Sequence, residues 1–143
     1  MKLILKSIIV FFFISINFAS ASESYFNDAK ILFEKEEYKD AKFLFQRSIV
    51  FNPKHSASYL YLAKIYKKEE NESEEVKNLN TTLLLEPDNE EATYLLIDVE
   101  LNRSNFSKVK ELKKNFKLIC SLLCGKISLI NERLNDIEAK NKS

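Results

Sequence analysis

The sequence predicts an all-α fold, an α-solenoid of antiparallel helix hairpins closed by a C-terminal capping helix. Three observations carry that prediction. The chain has one Gly and two Pro among 143 residues while 45% of it is hydrophobic, a composition that disfavours β-hairpins and Gly-rich loops and favours helix. Its prolines stand at positions 53 and 87, an interval of 34 residues. The stretch before Pro53 places Tyr38, Ala41 and Phe45 three and four residues apart, the spacing of one helix face.

The first 21 residues differ from the rest. Lys2 and Lys6 precede an apolar run from Ile8 to Ala19, and Ala19-Ser20-Ala21 follows. That order matches the basic, apolar and small-residue regions of a secretory signal peptide, with cleavage expected after Ala21. The competing reading is a retained anchor. The run of 12 residues from 8 to 19 is short of the roughly 20 needed to span a bilayer. Without Lys2 and Lys6, the 22 basic residues become 20 against 21 acidic ones, a formal charge of −1. The expected mature chain therefore has no global bias toward nucleic acid or an anionic membrane. A composition rich in Lys, Asn, Ile and Phe suggests a bacterium with an AT-rich genome, so the expected compartment is the periplasm.

From residue 22 onward apolar periodicity predicts helices over about 23–35, 38–51, 56–69, 72–85, 90–102, 105–118 and 126–140. Asn71 followed by Glu74 reads as a capping-box start, and Asn89 ahead of Glu90 and Glu91 as another. Pro53 and Pro87 end the units they close, because proline cannot extend a helix. The last helix places Ile127, Ile130, Leu134 and Ile137 on one stripe and Glu132, Arg133, Asn135 and Asp136 on the other. Such a two-faced helix suits a solenoid cap, or, alternatively, pairing with a second copy in a homo-oligomer.

In a 34-residue frame the units start at Ser22, Ser56 and Glu90, spanning 22–55, 56–89 and 90–118, with a turn and capping helix over 119–143. The first unit has Tyr25, Ala29, Leu32, Ala41, Phe45, Ser48 and Pro53; the second has Tyr59, Leu62, Ala63, Tyr66, Leu79, Thr82 and Pro87. This alternation of large, small and aromatic residues closed by proline resembles the tetratricopeptide repeat family. The first unit departs at Asp28. The second departs at Glu75, where a small residue is expected. The third keeps Leu96, Phe106, Val109 and Leu112 in helical spacing, but Ile97, Glu100, Lys113 and Phe116 break the pattern and Ser121 replaces the closing proline. It reads as a degenerate repeat.

The resemblance implies a non-enzymatic binding or assembly module whose first helices line a concave groove for a partner protein or peptide. Carried over place by place, the groove residues are Phe26, Lys30, Phe33, Leu60, Lys64, Lys67, Tyr94, Asp98, Leu101 and Asn102. They form apolar patches with central lysines, suited to an acidic, hydrophobic segment. No cofactor is implied, and no nucleic acid.

Residues with chemistry of their own are scarce. His55, the only histidine, follows Pro53 and Lys54 and reads as a solvated turn residue. The lone glycine, Gly125, excludes a Gly-rich phosphate loop. Cys120 and Cys124 stand as CSLLCG, in a chain whose expected export favours disulfides. Residues four apart in a regular helix hold their β-carbons about 5–6 Å apart, too far for a bridge. A disulfide here therefore demands a helix break between the third unit and the cap, which Gly125 suggests. The alternatives are two buried thiols, or a redox or metal-handling pair.

Overall fold

The computed structural model describes residues 20–140. The expected signal segment lies outside the described residues except for Ser20 and Ala21, which are helical. Seven helices are described: α1 (20–34), α2 (Tyr38–Phe51), α3 (Ser56–Lys68), α4 (Glu72–Leu85), α5 (Glu90–Asn102), α6 (Phe106–Ile119) and α7 (Lys126–Lys140). They follow the periodicity closely, and no strand occurs among the described residues. None of these helices is long and apolar enough to cross a membrane.

Three hairpins, α1–α2, α3–α4 and α5–α6, pack in chain order, and α7 lies against both α5 and α6. A helix flanked on both sides must bury two faces, and α3 does so. Its Leu62 and Ile65 join Ala29, Ala41 and Phe45 in one core cluster, while its Leu60 and Ala63 join a second that runs on to Ile130 and Leu134 of α7. Ala29, Ala41 and Ala63 are completely buried, as close helix approach requires. The capping helix thus covers the last hairpin with the apolar stripe predicted for it.

Each hairpin turns through a residue the backbone resists. Glu36, Glu70 and Ser104 have positive φ of 61°, 56° and 55° and fall at the same place in the 34-residue frame. The amide after each donates back to a carbonyl of the last helical turn: Glu37 to Leu32, Asn71 to Tyr66 and Asn105 to Glu100, all at 2.9 Å. This is the Schellman closure, usually built with glycine, because a side chain in left-handed geometry costs about 1–2 kcal/mol. Asn71, Asn89 and Asn105 then cap the helices that follow, their side chains accepting from the amides of Glu74, Ala92 and Lys108. The reciprocal arm of the predicted capping box is missing, since the Glu74 carboxylate receives Lys77 instead.

The third unit is degenerate in sequence but complete in backbone. At the place where the first two units have buried Phe45 and Leu79, it has a half-buried Lys113; one turn later, in place of Ser48 and Thr82, it has a fully buried Phe116. The buried aromatic stands one turn further along, where the other units keep a small residue, and a half-buried lysine takes the large apolar place, so the core is filled while the pattern is lost.

Glycine at the closures should relieve their backbone cost. Glu36→Gly and Ser104→Gly are each expected to stabilise the fold by up to about 1 kcal/mol, seen as a rise in urea midpoint with unchanged slope. The corresponding alanine variants should give no such gain.

Candidate functional site

The first helices of successive units touch one another through their side chains. Between α1 and α3, Phe26 and Phe33 meet Tyr61 edge-on, with centroids 5.6 and 5.1 Å apart, and Tyr61 stacks on Phe45 at 5.0 Å. Lys30 lies 5.9 Å from the Phe26 ring centre and Lys64 4.4 Å from that of Tyr61. Between α3 and α5, Lys64 pairs with Glu91 at 2.7 Å and Lys67 pairs with Asp98. Between α5 and α7, Arg133 pairs with Asp98 and donates to the Asn102 side-chain oxygen at 3.0 Å. Tyr94 is half-buried, 6.2 Å from Phe116, with Lys126 5.8 Å from its ring centre.

This geometry corrects two parts of the groove expectation. Leu60 and Leu101, only 7% and 1% exposed, belong to the core and offer no surface to a partner, because flanked helices bury the faces toward both neighbours. Lys64 and Lys67 are not free charges, since each already has a carboxylate partner. Apart from Tyr94, which lies against Phe116, the other predicted residues fall in two places. Phe26, Lys30 and Phe33 form an aromatic patch with Tyr61, whereas Lys67, Asp98 and Asn102 line a cavity of about 280 Å³ together with Glu70, Glu72, Glu75 and Val99.

Glu75 is the anomaly of that cavity. It occupies the place of Ala41 and is 6% exposed, and its carboxylate makes no hydrogen bond or ion pair among the described residues. Burial pushes its pKa above the ordinary value; Lys67 and Arg103 oppose the shift, and Asp98 and Glu72 reinforce it. For neighbouring Asp98, burial acts upward too, but hydrogen bonds from Lys67 and Arg133 outweigh it and hold the carboxyl below its usual range.

The turn before α7 is fixed twice. Cys120 and Cys124 form a disulfide with Cα atoms 5.2 Å apart, possible because α6 stops at Ile119 and Cys120 is extended (φ −64°, ψ 140°). The break does not depend on Gly125, which has no positive φ and open space where a β-carbon would stand. Glu90, at the start of α5, accepts the amides of Ser121, Leu122 and Leu123 at 2.7, 3.1 and 3.1 Å. These bonds, foremost that from Ser121, lower its pKa.

His55 is not a solvated turn residue. It precedes α3, its ring is 4.7 Å from Phe26, its Nδ1 is 2.8 Å from Ser58 Oγ, and its Nε2 is 3.5 Å from a Glu23 carboxylate oxygen. An acid, an imidazole and a hydroxyl in line have the elements of a hydrolytic triad. Ser58, however, is completely buried and donates to Ser48 Oγ at 3.0 Å, and Ser48 also meets Ser22. No substrate carbonyl can reach that oxygen. The group is a polar seam joining α1, α2 and α3.

Tyr61, Glu75, Glu90 and Arg133 were not singled out as site residues. Glu75 alone had a signal, its break with the small-residue pattern; the other three act through contacts 31 to 35 residues away in sequence that periodicity does not encode.

No family model and no curated protein matches the sequence. Solved structures match the fold. The type III secretion translocator chaperone SycD of Yersinia enterocolitica aligns with a TM-score of 0.72 at 12% identity, over 85% of this chain and 86% of that one. The first TPR of Spaghetti (RPAP3), solved bound to the HSP90 peptide SRMEEVD, gives 0.71 at 11%, over 87% and 96%. The Sgt2 TPR domain from Aspergillus fumigatus gives 0.65 at 13%, over 85% and 79%. The chain therefore has the tetratricopeptide-repeat-like fold, a right reading of its 34-residue frame.

Because the Glu75 pKa is raised on folding, the folded state holds its proton more tightly, and stability falls as pH rises from the ordinary value of 4.5 through the folded value. Glu75→Gln is expected to be more stable than the wild type at about pH 7.5 and to lose that advantage below about pH 4, as measured by thermal unfolding across pH.

Proposed function

We propose that this chain is a non-enzymatic binding module, exported to the bacterial periplasm, whose α1–α3–α5 side receives an extended or helical segment of a partner protein. The observation that carries this reading is the row of first-helix side chains left partly open to solvent beside the hairpin cores: Phe26, Lys30, Phe33 and Tyr61 at one end, Tyr94 and Asn102 at the other. Aromatic side chains with a polar rim are what a peptide-binding surface requires.

The structural neighbours support partner binding of this kind. One is SycD in complex with a peptide of the translocator YopD, another is bound to an HSP90 peptide. Export rests on the basic, apolar and small-residue order of the first 21 residues. The disulfide agrees with an oxidising compartment.

Site-specific photocrosslinking in cells tests the binding face. A crosslinker at Tyr94 or Tyr61 should trap the same partner, and one at the exposed Gln46 of α2 should not trap it. Equal products from all three positions, or capture of a second copy of the chain alone, would overturn the reading in favour of nonspecific contact or a homo-oligomer.

A further inference from the structure

The departure of the second unit from its repeat pattern falls at the cavity. Glu75 occupies the place of Ala41 in the first unit and Val109 in the third, both completely buried. An ionisable side chain is seldom this buried unless it is paired; no fully buried side-chain oxygen among the described residues lacks a hydrogen-bond partner, so the little exposure that Glu75 keeps belongs to its unbonded carboxylate. Glu75 is 6% exposed, lines the cavity, and has no partner among the described residues.

Every cation facing that cavity is already committed. On α3, Lys67 is held by Asp98, and Asp98 also holds Arg133 of α7. On the turn after α5, Arg103 is shared between Glu72 of α4 and Glu100 of α5. The groups left without a counter-charge are the carboxylates of Glu75 and of Glu70 in the turn after α3. The cavity therefore carries an excess of negative charge.

We infer that this cavity is a subsite for one cationic side chain, a lysine ammonium or arginine guanidinium of the partner segment, with Glu75 as its buried counter-charge. The inference rests on the partner-binding reading and adds the chemistry of one partner residue. A volume of about 280 Å³ lies just below the roughly 300–1,000 Å³ of small-molecule sites, a size for one long side chain. Val99, 3% exposed, supplies an apolar wall for its methylenes. A divalent metal is a poorer occupant, because no group of three or more His, Cys, Asp or Glu among the described residues is placed to hold one. An anion is excluded by the two unpaired carboxylates. Lys67 and Asp98 keep their roles as rim residues, and the partner's preferred charge at this end of the groove becomes positive, opposite to the acidic partner suggested by the lysines alone.

Proton occupancy couples to the subsite. Glu75 faces Lys67 on α3, Glu72 on its own helix, and Asp98 and Arg103 from α5 and its end. Binding of a cation favours the charged carboxylate, so affinity falls as the pH is lowered and Glu75 takes up its proton.

The probe is N-acetyl-lysine methylamide, titrated by amide NMR into the 15N-labelled full chain, with N-acetyl-norleucine methylamide as the uncharged control. Saturable shifts at the Val99 and Asn102 amides are expected, with an affinity on the order of millimolar for so small a ligand. Affinity should weaken about tenfold or more in Glu75→Gln, and the control should produce no saturable shift. Unchanged binding in Glu75→Gln, equal shifts from norleucine, or no saturation at these amides would overturn the assignment. Glu70→Gln provides a second variant on an exposed turn, expected to weaken the probe without touching the core. Putrescine binding about tenfold tighter than the blocked lysine would identify a free amine as the ligand and overturn the assignment to a partner side chain. Because the probe needs no partner, these outcomes are separable from failure of the crosslinking experiment.

Discussion

Two helices of a hairpin can lie close only where neither side chain at the crossing is bulky, and every other feature of this fold is arranged around that steric limit. In the first unit the limit is met with Ala29 and Ala41, both completely buried. With the crossing fixed there, Phe45 is enclosed and stacks on Tyr61 of the next unit, and the polar seam of Ser22, Ser48 and Ser58 is shut away from water. The limit relaxes along the chain, to Ala63 with Glu75 and then Ile97 with Val109. In the last unit both residues of the pair are apolar and completely buried, and Phe116 fills the core one turn further along than Phe45 and Leu79 do. In the middle unit a carboxylate remains beside a cavity.

Electrostatics ties the units together where apolar packing alone would let them slide. The Lys67–Asp98–Arg133 chain links the first helices α3 and α5 to the capping helix α7, and Glu90 gathers three amides of the disulfide turn. Surface ion pairs taken singly contribute little, about 0–1 kcal/mol. Here they occupy the cations around the cavity and leave Glu75, 6% exposed, without an ion-pair partner there.

Much of the architecture was legible in the sequence because helix periodicity and proline positions are local signals. The third hairpin was legible as helices but not as an intact unit, since only the folded chain shows that Phe116, one turn out of pattern, fills the core in place of the usual large residue. The closures at Glu36, Glu70 and Ser104 carried no signal, because the residues there are not the glycines such turns normally use. In the candidate site, Phe26, Phe33 and Tyr94, placed by the repeat frame, are partly exposed. Leu60 and Leu101 were misassigned to the groove because periodicity marks an apolar residue without saying which of two neighbouring helices it faces. His55 was taken for a turn residue because its partners Glu23 and Ser58 are brought to it by the hairpin turn and by helix geometry.

Glu75 is central here as a largely buried carboxylate lacking a counter-charge. A 13C titration of its side-chain carboxyl in the intact chain measures this directly. A midpoint above the ordinary 4.5, falling when a cationic probe saturates the cavity, is the predicted result. A midpoint at or below 4.5 in the free protein would show that the carboxylate is already solvated or paired, and would contradict the claim that the cavity awaits a positive charge.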